Sequence, residues 1–191
     1  MAAPKIIIEG SNLSGKTSIA HELERRFVHS VVVTLHGYYH PKFLESIKTV
    51  DSAIEYHHRR LQAFLSVFNS VSAEELIFNR FHLTASVYLK LFYSIEEPFH
   101  SIEKRLNELN THLVLIDFDD DSLNQRLGDR LSSNKEFPWG DEGLKKARQK
   151  RDCYRYFFEH SSIERKFLID NSNSQRTIIL TVDEIIKKVN Q

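Results

Sequence analysis

Residues 6–20 read IIIEGSNLSGKTSIA. An apolar run of strand length leads into Gly10-Ser11-Asn12-Leu13-Ser14-Gly15-Lys16-Thr17, and a stretch of helical period follows. The eight residues fit G-x-x-x-x-G-K-[ST], which forms a phosphate-binding loop when it sits between a strand and a helix. Its glycines let the backbone wrap closely round a phosphate and aim N–H groups inward. The N-terminus of the next helix adds partial positive charge. Lys16 has the reach for a donor's outer phosphates, and the Thr17 hydroxyl can ligate Mg²⁺. Gly10 through Thr17, with Ser18 behind them, are therefore read as holding ATP and Mg²⁺.

Outward from this loop, apolar runs alternate with helical stretches, the pattern of a parallel sheet covered by helices. KIII (5–8), VVVTL (31–35), ELIF (75–78), HLVLI (112–116) and KFLI (166–169) are the expected strands. Helices are expected over 16–27, 51–70, 82–95, 99–110, 120–132, 143–160 and 182–189. Asp51 marks one start, and Thr181 with Glu184 reads as a T-x-x-E capping box. LSSNKEFPWGDEG (131–143) breaks the helical pattern with Pro138 and two glycines. It is read as part of a lid over about 126–150, inside a single domain spanning 1–191, with Trp139 a candidate anchor. The expected fold is thus α/β, a five-stranded parallel sheet flanked by helices. In such sheets ligands gather at the carboxyl ends of the strands.

Composition narrows the class. The 191 residues are 41% hydrophobic and 27% charged, the balance of a folded globular protein. Acids and bases number 26 each, so no global positive field draws in nucleic acid or an anionic membrane. The single Cys153 excludes an internal disulfide and suits a reducing compartment. No apolar stretch approaches the roughly 20 residues of a membrane span. A cytoplasmic protein without nucleic-acid or membrane partners is expected.

GTPases carry a guanine-reading N-K-x-D, which is missing here. Other stretches fall where a small-molecule kinase keeps its acceptor pocket and lid: IFNRFHLTASVY (77–88), LIDFDDDSLNQRLGDR (115–130) and FLIDNSNS (167–174). With the loop, they give a chain that resembles the thymidylate kinase and deoxynucleoside kinase group over nearly its whole length. The resemblance implies that Arg80 holds an acceptor phosphate and that Tyr88 lines the acceptor pocket. It pairs Tyr56, stacked on a base, with Arg60, one helical turn on, at the base edge. Arg126 and Arg130 take the place of lid arginines that stabilise charge on the transferring group. Asn171 and Ser172 take the place of groups that frame adenine. Arg148, Arg151 and Arg155 are read as a solvated face. A homodimer is a further implication.

The chain also departs from that group. Asn12 stands where its phosphate loop has an aspartate, and Asn79 where an acid precedes the arginine. LHGYYHP (35–41) follows the second strand in place of an EPGG-like segment. Asp117, at a strand end, is a further candidate to support Mg²⁺ through water. A nucleoside kinase needs a base for a neutral hydroxyl, generally a carboxylate after strand two, where this chain has His36, Tyr38, Tyr39 and His40. His36 and Tyr39 are read as acceptor-side groups. A monophosphate acceptor needs no base, because its attacking oxygen is already ionised. The reading is an ATP-dependent kinase acting on a (deoxy)nucleoside monophosphate. The alternatives are a nucleoside or other small hydroxyl acceptor, or a nucleotide-binding protein without turnover.

Overall fold

The computed structural model describes residues 4–35, 49–71, 75–133, 141–172 and 177–191. Within them lie strands β1 (Lys5–Glu9), β2 (Ser30–Thr34), β3 (Glu75–Asn79), β4 (Thr111–Asp117) and β5 (Lys166–Asp170). They form one sheet in the order β2-β3-β1-β4-β5, and every pair is parallel. The helices are α1 (Lys16–Arg26), α2 (Val50–Ser70), α3 (His82–Tyr93), α4 (His100–Glu108), α5 (Asp120–Ser133), α6 (Asp141–His160) and α7 (Ile178–Val189).

Strands covered on both faces must be apolar on both, which is why β1 and β4 read as continuous apolar runs and are buried throughout. The pleat then sorts them. Ile6 and Ile8 face one core with Ile19, Leu23, Val182 and Ile185 of α1 and α7. Ile7 faces the other, with Phe68, Phe78, Phe81, Tyr154 and Phe157 under α2, α3 and α6. The central strand β1 lies between β3 and β4, so chain connections diverge to either side of its carboxyl end. That switch point is where the phosphate loop emerges.

Two helix starts differ from expectation. The first turn of α2 is capped by Thr49, not introduced by Asp51: Thr49 and Ser52 exchange side-chain-to-backbone hydrogen bonds in a capping box. Helix α7 starts a full turn before Thr181, because Thr177 caps it through Leu180 N–H at 3.3 Å. Thr181 lies inside the helix, its hydroxyl bonded back to Thr177 O. His36, Tyr38, Tyr39, His40 and Trp139 lie outside the described residues.

Candidate active site

The loop leaves β1 through Gly10 at φ 148°, where a Cβ would stand 2.4 Å from Ile116 O on β4, so only glycine fits. Leu13 (φ 68°) and Gly15 (φ 85°) also lie in the left-handed region. Gly15 caps α1 with no side chain over its first amides, leaving those donors for an anion. Lys16 folds back into the loop, donating to Ser11 O at 2.5 Å and Ser14 Oγ at 3.1 Å, and is only 4% exposed. Burial, then the positive charges of Arg80 and Lys150, push its amine well below the usual lysine range. A phosphate entering the loop would relieve all three.

Arg80 follows β3 with φ 75°, an uncommon geometry for a non-glycine residue. Its own N–H donates to Ile8 O at 2.9 Å, and the next, Phe81 N–H, donates to Glu9 Oε1 at 2.7 Å. Glu9 is fully buried at the last position of β1 and also accepts from Thr84 N–H and the Thr84 hydroxyl. The carboxylate thus caps the N-terminus of α3, where the helix dipole favours a negative charge. It ties the strand that carries the phosphate loop to the backbone that carries Arg80. The guanidinium itself has no hydrogen bond or ion pair among the described residues. A half-buried guanidinium without a counter-charge is costly, and an anion beside it would offset that cost.

Lys150, on α6, completes this cationic cluster. Its amine donates to Tyr88 Oη at 2.5 Å and to Asn12 Oδ1 at 3.4 Å, and lies 4.1 Å from the Tyr88 ring centroid. Burial and the Arg80 charge bring its pKa down to about 7. Phe92 stacks on the Tyr88 ring at 5.5 Å, and Tyr88 meets Lys150 through both its hydroxyl and its ring face. Sequence reasoning passed over both Glu9 and Lys150. A carboxylate ending a buried strand was the available signal for the first. For the second it was helical spacing: Ala147, Lys150, Arg151 and Tyr154 share one side of α6, and all but Lys150 are buried.

The three α6 arginines are not a solvated face. Arg151 is 6% exposed and donates to Asp120 Oδ1 at 2.7 Å and to Phe118 O. Arg155 donates to Asp117 Oδ2 at 2.6 Å and to Phe118 O at 3.1 Å, and Arg148 pairs with Asp120 at 3.3 Å. They pin α6 to the end of β4 and the start of α5. Asp117 is thereby engaged by Arg155. The side chain that reaches Thr17 is that of Asn79, whose Nδ2 lies 3.3 Å from Thr17 Oγ1. Asn79 is 1% exposed, and its Oδ1 has no hydrogen-bond partner among the described residues. A hydroxyl beside an unpartnered amide oxygen suits hydrated Mg²⁺, which keeps several of its waters and takes few protein ligands.

Arg126 sits at the other end of the loop. Its guanidinium donates to Leu13 O at 2.9 Å and to Asn171 O and lies 5.0 Å from the Phe118 ring centroid. Beside it is a cavity of about 320 Å³ lined by Gly15, Ile19, Asn171, Ser172 and Ile178 among others. Asn171 Nδ2 donates to Ser14 O at 3.1 Å, fixing the cavity wall to the loop. Arg130, one turn on from Arg126, is exposed. Tyr56 and Arg60 are brought together on α2, Arg60 Nη1 donating to Tyr56 Oη at 3.0 Å.

No family model and no curated protein matches the chain. Solved structures do match its fold. The YorR protein of Bacillus subtilis, in complex with phosphorylated GDP, superposes with a TM-score of 0.65 at 17% identity, over 97% of this chain and 95% of that one. Thymidylate kinase from Candida albicans gives 0.64 at 14% identity, over 99% and 92%. Deoxyadenosine kinase from M. mycoides, with products dCMP and a flexible dCDP bound, gives 0.60 at 16%, over 97% and 98%. The fold is that of P-loop kinases.

Proposed function

We propose that this protein is an ATP- and Mg²⁺-dependent phosphotransferase that moves a γ-phosphoryl group onto a (deoxy)nucleoside monophosphate, as thymidylate kinases do. The observation that carries this reading is the second cationic group facing the loop. Arg80 is held in a costly backbone conformation, half-buried, its guanidinium without a hydrogen bond or ion pair among the described residues. A donor's phosphates need only the loop amides, Lys16 and the metal. A further unpartnered arginine calls for a second anion, and a monophosphate supplies one.

In this assignment the donor base occupies the cavity beside Arg126, framed by Asn171 and Ser172. Its phosphates lie on the amides of residues 11–18 and on Lys16. Thr17, backed by Asn79, would hold Mg²⁺, which would supply positive charge against the donor's phosphates. Arg80 holds the acceptor phosphate, Tyr88, Tyr56 and Arg60 surround its nucleoside, and Arg130 closes over the transferring group. No base is required, so catalysis is positioning and charge neutralisation.

Thermal unfolding with thymidine and with its monophosphate tests the acceptor. A ligand at about 100 times its Kd stabilises by roughly 2.7 kcal/mol. In a domain of this size that raises Tm by several degrees. The monophosphate should give the larger rise, and Arg80→Ala should remove that rise while leaving the one caused by ATP. Equal rises from both compounds, unaffected by Arg80→Ala, would contradict the assignment.

A further inference from the structure

We infer that Lys150 is a catalytic residue, its ammonium meeting the phosphoryl group as it passes between donor and acceptor. The inference rests on the phosphotransferase reading above and adds a residue that no motif in the sequence marks.

Its position is the first ground. Lys16 comes from α1 and Arg80 from the end of β3, while Lys150 comes from α6, across the loop. It touches Asn12 of the loop and Tyr88 of α3 together, so it spans the donor-phosphate side and the acceptor side. The second ground is the company it keeps. Arg151 and Arg155, on the same helix, are locked to Asp120, Asp152 and Asp117. Lys150 has no such carboxylate among the described residues: a phenol, a ring face and an amide hold it. The bond to Asn12 is at the long limit for a hydrogen bond and would give way easily. A desolvated ammonium without a counter-ion is costly, and an arriving phosphate removes the cost.

The charged groups around it agree. Glu9 from β1 favours its charge, Arg80 and burial oppose it, and Lys16 and Tyr88 are the other titratable neighbours. With its pKa about 7 in the free protein, Lys150 is partly neutral near pH 7.5 and takes up a proton when an anion binds. In the transfer, the bond from the γ-phosphorus to the β–γ bridging oxygen breaks, and its electron pair stays on the ADP oxygen. A new bond forms from phosphorus to an acceptor phosphate oxygen. Lys150 gives up no proton; its N–H groups bond the oxygens over which charge spreads, where a preorganised cation acts most strongly.

The test compares the wild type with Lys150→Met and Lys150→Arg. Lys150→Met should keep its Tm and its KM for ATP and lose kcat by on the order of 10²–10³. Lys150→Arg should recover part of that loss. Titration with the β,γ-imido analogue of ATP at pH 7.5, in two buffers of different ionisation enthalpy, should show a larger proton uptake by the wild type than by Lys150→Arg, whose guanidinium is already charged. Unchanged kcat in a folded Lys150→Met protein that takes up as much proton as the wild type would overturn the inference. If the wild type transfers phosphate to no monophosphate, the functional reading fails. The proton measurement then decides Lys150 separately: a smaller uptake in Lys150→Met than in the wild type supports its contact with donor phosphate, the remainder belonging to Lys16, and an uptake equal to the wild type's refutes it.

Discussion

Arg80 shows how much of this site depends on a single backbone angle. A non-glycine residue at φ 75° carries strain of about 1–3 kcal/mol, which persists only where neighbours fix it. Ile8 O and the Glu9 carboxylate do so through successive N–H groups. Glu9→Gln keeps the shape and can keep the acceptor for both N–H groups, but it removes the charge at the helix N-terminus and replaces the oxygen that accepts from the Thr84 hydroxyl with an NH₂ group. It should destabilise by about 1.5–3 kcal/mol in urea unfolding, the usual worth of a hydrogen bond to a charged group, and raise KM for the acceptor more than for ATP. Unchanged stability would show that the carboxylate is not what holds Arg80. The phosphate loop was legible because its chemistry is local, eight adjacent residues with a fixed geometry. Glu9, Lys150 and the engagement of Asp117 by Arg155 were not, since each partner lies tens of residues away and a single letter says nothing about contacts across the fold.

At the scale of elements, strands and helices were legible from apolar period, while their starts were decided by competition between caps. Thr181 with Glu184 has the better capping-box pattern, yet Thr177 wins and carries Ile178, Ile179 and Leu180 into α7 although all three are exposed. Elements also lock to one another through buried charge. Glu103 of α4 faces His82 at the start of α3, Nε2 to Oε1 3.2 Å, and accepts from Ser162 N–H and its hydroxyl. Burial opposes its ionisation, but hydrogen bonds from His82, Ser161 and Ser162 outweigh it and hold the carboxyl down to about 2. The folded value lies below the unfolded one. The stabilisation is therefore complete above about pH 4.5 and fades as pH falls toward 2. Between pH 5 and 3 the wild type should lose more of its urea midpoint than Glu103→Gln does. Parallel losses in the two proteins would assign the acid sensitivity elsewhere.

For the whole molecule, the order of the strands matters more than their number. Alternation of strand and helix implied a parallel sheet, but the order β2-β3-β1-β4-β5 is a product of packing two apolar faces, and it is what brings residues 9–17, 79–80 and 150 to one edge. Acids and bases balance over the chain, so the positive charge of Lys16, Arg80 and Lys150 is a local construction and not a surface field. The most direct test follows ADP release from MgATP in the presence of a panel of deoxynucleosides and their monophosphates. ADP release dependent on a monophosphate, and abolished by Lys16→Ala, is the expected result. ADP release with nucleosides alone, or ATP binding without turnover on any member of the panel, would contradict it.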